Sequence, residues 1–319
     1  MKLCTFEVKT HLGRHRRLGV VDRDGVVDVH FTVAHHLASY RLADAVAPPS
    51  LLGLLEGGTA SMRAVQAAVA FLPPEMRTGK NDETLRYRWD EVRLVTPLPD
   101  ARSLRDFFAF EEHVKRGFEK RGEPMPQEWY ELPVYYQTGH HNLIGSGQDV
   151  LWPSFTERFD YELELAVIIG STGRNISESE ASNYIAGYTI LNDFSARDIQ
   201  RKEMKVRLGP AKGKHWCSGV GPWMVTPDEI PDPYGLEMVA RVNGEEWSRG
   251  NSRSMHWRFD QMIAFLSKDD TIYPGDILGS GTVGTGCGLE LNRWVQPGDL
   301  IELEIEGIGI LKNRVVRPA

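Results

Sequence analysis

The chain is poor in cysteine, with only Cys4, Cys217 and Cys287 among 319 residues. An odd count without a Cys-x-x-Cys pair argues against a disulfide framework and against a thiolate zinc site, and it fits a reducing compartment. Long apolar runs are missing too: nothing approaches the roughly eighteen residues of a membrane span. The N-terminal stretch MKLCTFEVKTHLGRHRR carries charge where a secretion signal needs apolar residues. A cytoplasmic protein without a membrane partner is the resulting expectation. Nor is there a basic excess, since 37 Lys and Arg stand against 44 Asp and Glu for a net charge of −7. Such a surface repels phosphate backbones, so no nucleic-acid partner is expected. There is no G-x-S-x-G nucleophile elbow, no repeat of solenoid length and no low-complexity tract.

What the sequence does have is a globular composition, 41% hydrophobic and 25% charged, long enough to bury a core without disulfide staples. Asp22-Arg23-Asp24-Gly25 between two apolar runs signals a hairpin. Residues 31–46 and 61–71 read as helices separated by Pro48-Pro49 and Gly57-Gly58. Prolines 97 and 99 mark a linker, which predicts a small N-terminal α/β domain over 1–98 and a second domain over 99–319. In the second, helices are expected over 103–120 and 194–205. The rest alternates like strands, with turns at Asn243-Gly244, Pro274-Gly275-Asp276 and Pro297-Gly298-Asp299. The fold class expected is α+β, mainly β.

Chemistry concentrates in a few segments. Tyr161-Glu162-Leu163-Glu164-Leu165 sets Glu162 and Glu164 on one strand face with Cα atoms about 6.5 Å apart. The pair suits a hard divalent cation, but taken alone it reads first as a solvated strand face like that of Glu302, Glu304 and Glu306. Asp193, Arg197 and Gln200 recur at helical spacing, so they form either a convergent cluster or one face of a surface helix. Lys212 and Lys214 sit in a glycine-containing loop, either reaching an anionic substrate or simply solvated. Asp106 and His113, seven residues apart, would share a helix face about 10.5 Å apart. His113 suits a general base. Ser103 and Asp106 would alternatively make a capping box with His113 at the surface. Gly279-Ser280-Gly281-Thr282-Val283-Gly284 matches a dinucleotide fingerprint, but Leu289–Leu291 and Leu300–Ile305 read as strands where a helix is required, so no Rossmann site is expected. Those glycines allow close backbone approach to a ligand with Thr282 as a polar contact, or form a plain loop. Cys287 reads as a small residue in that loop rather than a nucleophile.

Taken together, Asp106-Phe-Phe-Ala-Phe-Glu-Glu-His113, Tyr161-Glu-Leu-Glu-Leu-Ala166, Asn192-Asp-Phe-Ser-Ala-Arg-Asp-Ile-Gln200 and Gly279-Ser-Gly-Thr282 resemble the fumarylacetoacetate hydrolase family in type, order and spacing. The resemblance covers residues 103 to 318. It implies a β-sandwich roll, a homodimer, and a cation held by Glu162, Glu164 and Asp193 with Asp106 as a fourth carboxylate. The implied cation is Mg2+, with Ca2+ or Mn2+ as alternatives. His113 and Glu290 become a water-activating dyad. Arg197, Gln200 and Lys214 stabilise developing negative charge, and Tyr136 contacts the substrate, a small keto acid. The implied activity is hydrolysis of a carbon-carbon bond in a 2,4-dioxo acid. Decarboxylase, isomerase and hydratase activities also occur in the family, and a metal-stabilised binding dimer without turnover is the reading from another class. Phe108 and Met204 stand where fumarylacetoacetase carries tyrosines, which favours an acylpyruvate over fumarylacetoacetate.

Overall fold

The computed structural model describes residues 1–317. Ten strands form the long path of its principal sheet: β1 (Lys2–Thr10), β2 (Gly13–Asp22), β3 (Gly25–Asp28), β4 (Arg86–Arg88), β5 (Ser103–Phe107), β6 (Tyr135–Thr138), β7 (Leu163–Ile169), β8 (Ile185–Asn192), β9 (Ser218–Val225) and β10 (Asp276–Gly279). They lie in the order β4-β3-β2-β1-β9-β8-β7-β10-β5-β6, and two short strands attached to β1 and β9 make twelve in all. A second sheet has five strands in the order Glu245–Asn251, Glu237–Val242, Leu300–Ile305, Gly309–Val316 and Val150–Leu151. Among the described residues eight α-helices decorate the sheets: α1 (Val29–Leu37), α2 (Tyr40–Val46), α3 (Leu51–Glu56), α4 (Gly58–Phe71), α5 (Glu111–Glu119), α6 (Arg197–Val206), α7 (Phe259–Ser267) and α8 (Gly288–Leu291). The fold is α+β and sheet-rich. Among the described residues no helix is long and apolar enough to cross a membrane.

β7 explains why its sequence is apolar almost throughout. Leu163, Leu165, Val167 and Ile169 face a core shared with Met238, Ala240, Leu303 and Leu311 of the second sheet. Ala166 and Ile168 turn to the opposite face and join Leu51, Leu54 and Val65 of the N-terminal helices. With both faces covered, alternation of apolar and polar residues is lost. Glu164 is the exception, and it lies on the Ala166 face because side chains two apart point the same way.

The hairpins fall where the turn residues put them. β2 pairs with β3 across Asp22–Gly25, and Asn243 and Gly244 adopt φ values of 54° and 79° in the turn between two strands of the second sheet. That left-handed pair is the geometry Asn-Gly favours.

Four expected elements differ. The helix expected over 31–46 is two helices, broken at Ala38 in the left-handed region and restarted by Ser39, whose hydroxyl accepts the Leu42 N–H. The helix expected over 103–120 begins only at Glu111: residues 103–107 form β5, held by parallel pairing to β10 and antiparallel pairing to β6. Sheet pairing overrides the helical stripe there, so Asp106 and His113 do not share a helix face. Ser103 is no cap either, since its hydroxyl donates to Asp276 at 2.6 Å. α6 starts at Arg197 rather than 194, which leaves Asp193 ahead of the helix. Finally, Leu289–Leu291 belongs to the one-turn helix α8, not to a strand.

Candidate metal and catalytic centre

The site gathers where β5, β7, β8 and β10 run side by side. Asp106 on β5 pairs in register with Gly279 of β10. Glu162 immediately precedes β7, Glu164 is the second residue of that strand, and Asp193 follows the last residue of β8. A carboxylate oxygen from each of Asp106, Glu162, Glu164 and Asp193 lies within 4.8 Å of the others, and all four side chains are buried. Burial removes the solvated-face reading of the glutamates. Glycine at 279 is needed for space: a Cβ there would approach Asp106 Oδ1 to 2.7 Å and Glu164 Oε2 to 2.9 Å. The Gly281 N–H donates to both carboxylates, at 3.2 Å to Asp106 and 3.1 Å to Glu164. Buried Thr282 directs its hydroxyl to Glu164 at 3.5 Å.

Two cations enter the same cluster. Lys214, 2% exposed, donates to Glu162 and Asp193, whereas Lys212 of the same loop is exposed. Tyr136 also donates to Asp193. Arg197 is fully engaged. Its Nε donates to Asp160 at 2.8 Å, one terminal nitrogen to Glu162 at 2.8 Å and the other to Gln200 Oε1 at 3.1 Å. The last bond turns the Gln200 amide nitrogen away from the guanidinium. Burial opposes ionisation of Glu162, but Arg197 and Lys214 outweigh it and hold its carboxyl well below the usual range. The remaining three go the other way. Burial, then Asp193, pushes Asp106 up to about 8. Burial and Asp106 raise Glu164 well above its ordinary value, and burial raises Asp193 against the pull of Lys214.

A divalent cation fits this donor set. Asp193 Oδ1 is buried without a hydrogen-bond partner, and carboxylates crowded into a dry site repel unless a hard cation or protons neutralise them.

Beside the carboxylates, α5 carries His113 and α8 carries Glu290. His113 Nδ1 lies 2.9 Å from Glu290 Oε2, and its Nε2 lies 3.9 Å from Glu162 Oε1. The Nδ1 contact is short but off the angle of a formed hydrogen bond, as catalytic contacts often are before substrate binds. Burial tends to raise the Glu290 carboxyl, but His113 prevails and lowers it. The Phe108 ring meets His113 edge-on with centroids 5.4 Å apart. Met204 lies on α6 and is 50% exposed, so it stands outside the buried cluster.

Asp160 is a residue of the centre that the sequence motifs leave out. It is fully buried, pairs with Arg197, and accepts the N–H groups of Gly288 and Leu289 at 2.9 and 3.0 Å. It therefore ties the helix bearing Glu290 to the guanidinium that holds Glu162. The alternation Asp160, Glu162, Glu164 was visible in the sequence and would have pointed to it. Removing one partner of a buried ion pair costs about 3 to 5 kcal/mol, so Asp160→Ala should lower unfolding free energy by about that much in urea denaturation. A loss below about 1 kcal/mol would show that the tie carries little.

The family model described as fumarylacetoacetate (FAA) hydrolase C-terminal matches residues 103–316. The human mitochondrial oxaloacetate tautomerase FAHD2B is 28% identical over 327 residues, covering 99% of this chain and 92% of that protein. A 2,4-didehydro-3-deoxy-L-rhamnonate hydrolase from Sphingomonas sp. (strain SKA58) is 37% identical over 194 residues, 60% of this chain and 66% of that one. The crystal structure of maleylpyruvate hydrolase from Sphingobium sp. SYK-6, in complex with manganese(II) and pyruvate, superposes with a TM-score of 0.72 at 25% identity over all of both chains.

Proposed function

The chain belongs to the fumarylacetoacetate hydrolase family, and from that membership we propose that it is a metal-dependent hydrolase cleaving a carbon-carbon bond in a 2,4-dioxo acid of the acylpyruvate class, with Mg2+ as its cation. The single observation that supports this reading most is His113, set with one ring nitrogen toward Glu290 and the other toward the carboxylate cluster. An imidazole so held can take a proton from water at Nε2 while Glu290 steadies the charge arising at Nδ1. Asp106, Glu162, Glu164 and Asp193 would hold the cation, which supplies Lewis-acid stabilisation of an enolate oxygen when bound.

In this reading, His113 delivers hydroxide to the distal carbonyl carbon. Lys214 and the Gln200 amide donate to the oxyanion that forms there. Collapse of that adduct breaks the adjacent carbon-carbon bond and leaves its electron pair as an enolate, which takes up a proton to give the second keto product. Arg197 keeps Glu162 ionised and oriented. Tyr136, which donates to Asp193, and Thr282, which donates to Glu164, would contact the substrate there. A second reading, proton transfer between keto and enol forms, draws support from the match to an oxaloacetate tautomerase along nearly the full chain. The same dyad would then deliver its proton to carbon without adding water.

Assays of the Mg2+-loaded enzyme on fumarylacetoacetate, fumarylpyruvate, maleylpyruvate, acetylpyruvate and enol-oxaloacetate separate the two. Cleavage of a dioxo acid supports the hydrolase. Tautomerisation of oxaloacetate with no cleavage of any dioxo acid would replace it with the second reading. Among dioxo acids, substrate polarity should matter because Phe108 offers no hydroxyl beside His113. A buried polar group left unpaired costs about 1 to 3 kcal/mol, so the best acylpyruvate should exceed fumarylacetoacetate by roughly 10-fold or more in kcat/KM. Phe108→Tyr should narrow that ratio. A clear preference of the wild type for fumarylacetoacetate would remove Phe108 as the specificity determinant.

A further inference from the structure

Cys287 takes no part in the reaction described above, yet it is completely buried and lies against the dyad. Its Sγ is 3.4 Å from Glu290 Oε2, and a donor atom from each of His113, Cys287 and Glu290 lies within 4.8 Å of the other two. His113 Nδ1 is itself a buried nitrogen with no hydrogen-bond partner. It is aimed into this triangle, 2.9 Å from Glu290 Oε2. We propose that His113 Nδ1, Cys287 Sγ and Glu290 form a second cation site that takes a thiophilic divalent ion of the Zn2+ or Cd2+ class and thereby switches off the general base.

The donor chemistry distinguishes this site from the carboxylate cluster. One sulfur, one imidazole nitrogen and one carboxylate oxygen suit a borderline-soft ion, whereas four carboxylates suit a hard one. Tetrahedral zinc with bonds of about 2.0 to 2.3 Å sets its ligand atoms roughly 3.3 to 3.5 Å apart, and two edges of the triangle measure 2.9 and 3.4 Å. Three protein ligands leave the fourth position to water. Glu290 also lines a cavity of about 530 Å3 beside α5, whose other walls carry three glutamates, two lysines and one arginine. That balanced lining does not repel an approaching cation. When the ion binds, the thiol proton leaves to bulk water as the metal-sulfur bond forms.

Inhibition follows from the two-sided nature of imidazole. A neutral ring carries one proton. With the Nδ1 lone pair on the ion, that proton must sit on Nε2, which faces Glu162. No lone pair then remains to take a proton from water. The loss of activity rests on the functional reading given above, but the binding does not.

The test is titration of the Mg2+-loaded enzyme with Cd2+, following the ultraviolet thiolate-to-cadmium band and, by calorimetry, stoichiometry and affinity. Wild type should show the band saturating at one equivalent, with turnover falling in parallel. Cys287→Ser should lose the band and weaken Cd2+ binding at least about 10-fold, with Mg2+ affinity and basal turnover unchanged. Cys217→Ser should retain the band. His113→Gln, which keeps the thiol, should also weaken Cd2+ binding and covers the case in which the serine variant misfolds. An unchanged band and affinity in both Cys287→Ser and His113→Gln overturns the site. So does Cd2+ binding that Mg2+ displaces with no thiolate band. Should the band appear while turnover persists, the site stands and the role of His113 as base is what fails.

Discussion

Chelation of the active enzyme will abolish turnover, a loss of at least about 100-fold, and Mg2+ will restore it. The expectation comes from the charge count at the centre. Asp106, Asp160, Glu162, Glu164 and Asp193 are buried against only Arg197 and Lys214. Stripped of a cation, the cluster holds protons instead: Asp106 titrates at about 8 rather than 3.8, burial being the first cause. A carboxyl whose folded pKa is raised binds more protons folded than unfolded between those values, so its contribution to stability falls as pH rises from 3.8 to about 8. A bound cation cancels that loss. Mg2+ should therefore raise Tm, and the rise should be larger at pH 8 than at pH 6. At a hundredfold excess over Kd the stabilisation amounts to about 2.7 kcal/mol. Full activity in a sample shown metal-free by elemental analysis, or a Tm indifferent to Mg2+, would sink the metal assignment.

His113→Ala will lower kcat by about 100-fold or more while leaving Mg2+ affinity close to wild type, because the imidazole is the base and not one of the four carboxylates. Glu290→Gln will cost less, since it weakens the support of the ring without removing it. The Mg2+-dependent rise in Tm supplies the second readout. If His113→Ala lost activity and that rise together, the histidine would be holding the metal site in shape instead of moving a proton. Equal kcat in wild type and variant on the best dioxo acid would remove the hydrolytic mechanism altogether.

Much of the centre was readable because its residues are grouped in the sequence. Glu162 and Glu164 obey the twofold period of a strand, and the positive-φ pair Asn243-Gly244 announces its own hairpin. Less readable was anything set by partners distant in the chain. The helical stripe through Phe107, Phe110 and Val114 continues unbroken across a junction where the backbone changes from strand to helix, and only the pairing of Asp106 with Gly279 and Tyr136 reveals it. Asp160 continues the alternation of Glu162 and Glu164, but its role as a tie is set at a distance. Its partners, Arg197 and the N–H groups of Gly288 and Leu289, come from segments 37 to 129 residues away, and no local pattern joins them.

The two faces of β7 carry a further consequence. Leu163, Leu165, Val167 and Ile169 fill one core, Ala166 and Ile168 another, and Glu164 projects on the second face into the centre. A slip of one residue in pairing would exchange every side chain between faces. Leucines would then meet the carboxylates, and Glu164 would be driven between the sheets. The mis-set register is thus punished twice, once by oil placed in a polar cavity and once by charge placed in oil. Assembling the ligands needs no checkpoint of its own, because a chain with β7 out of register has no core to fold around.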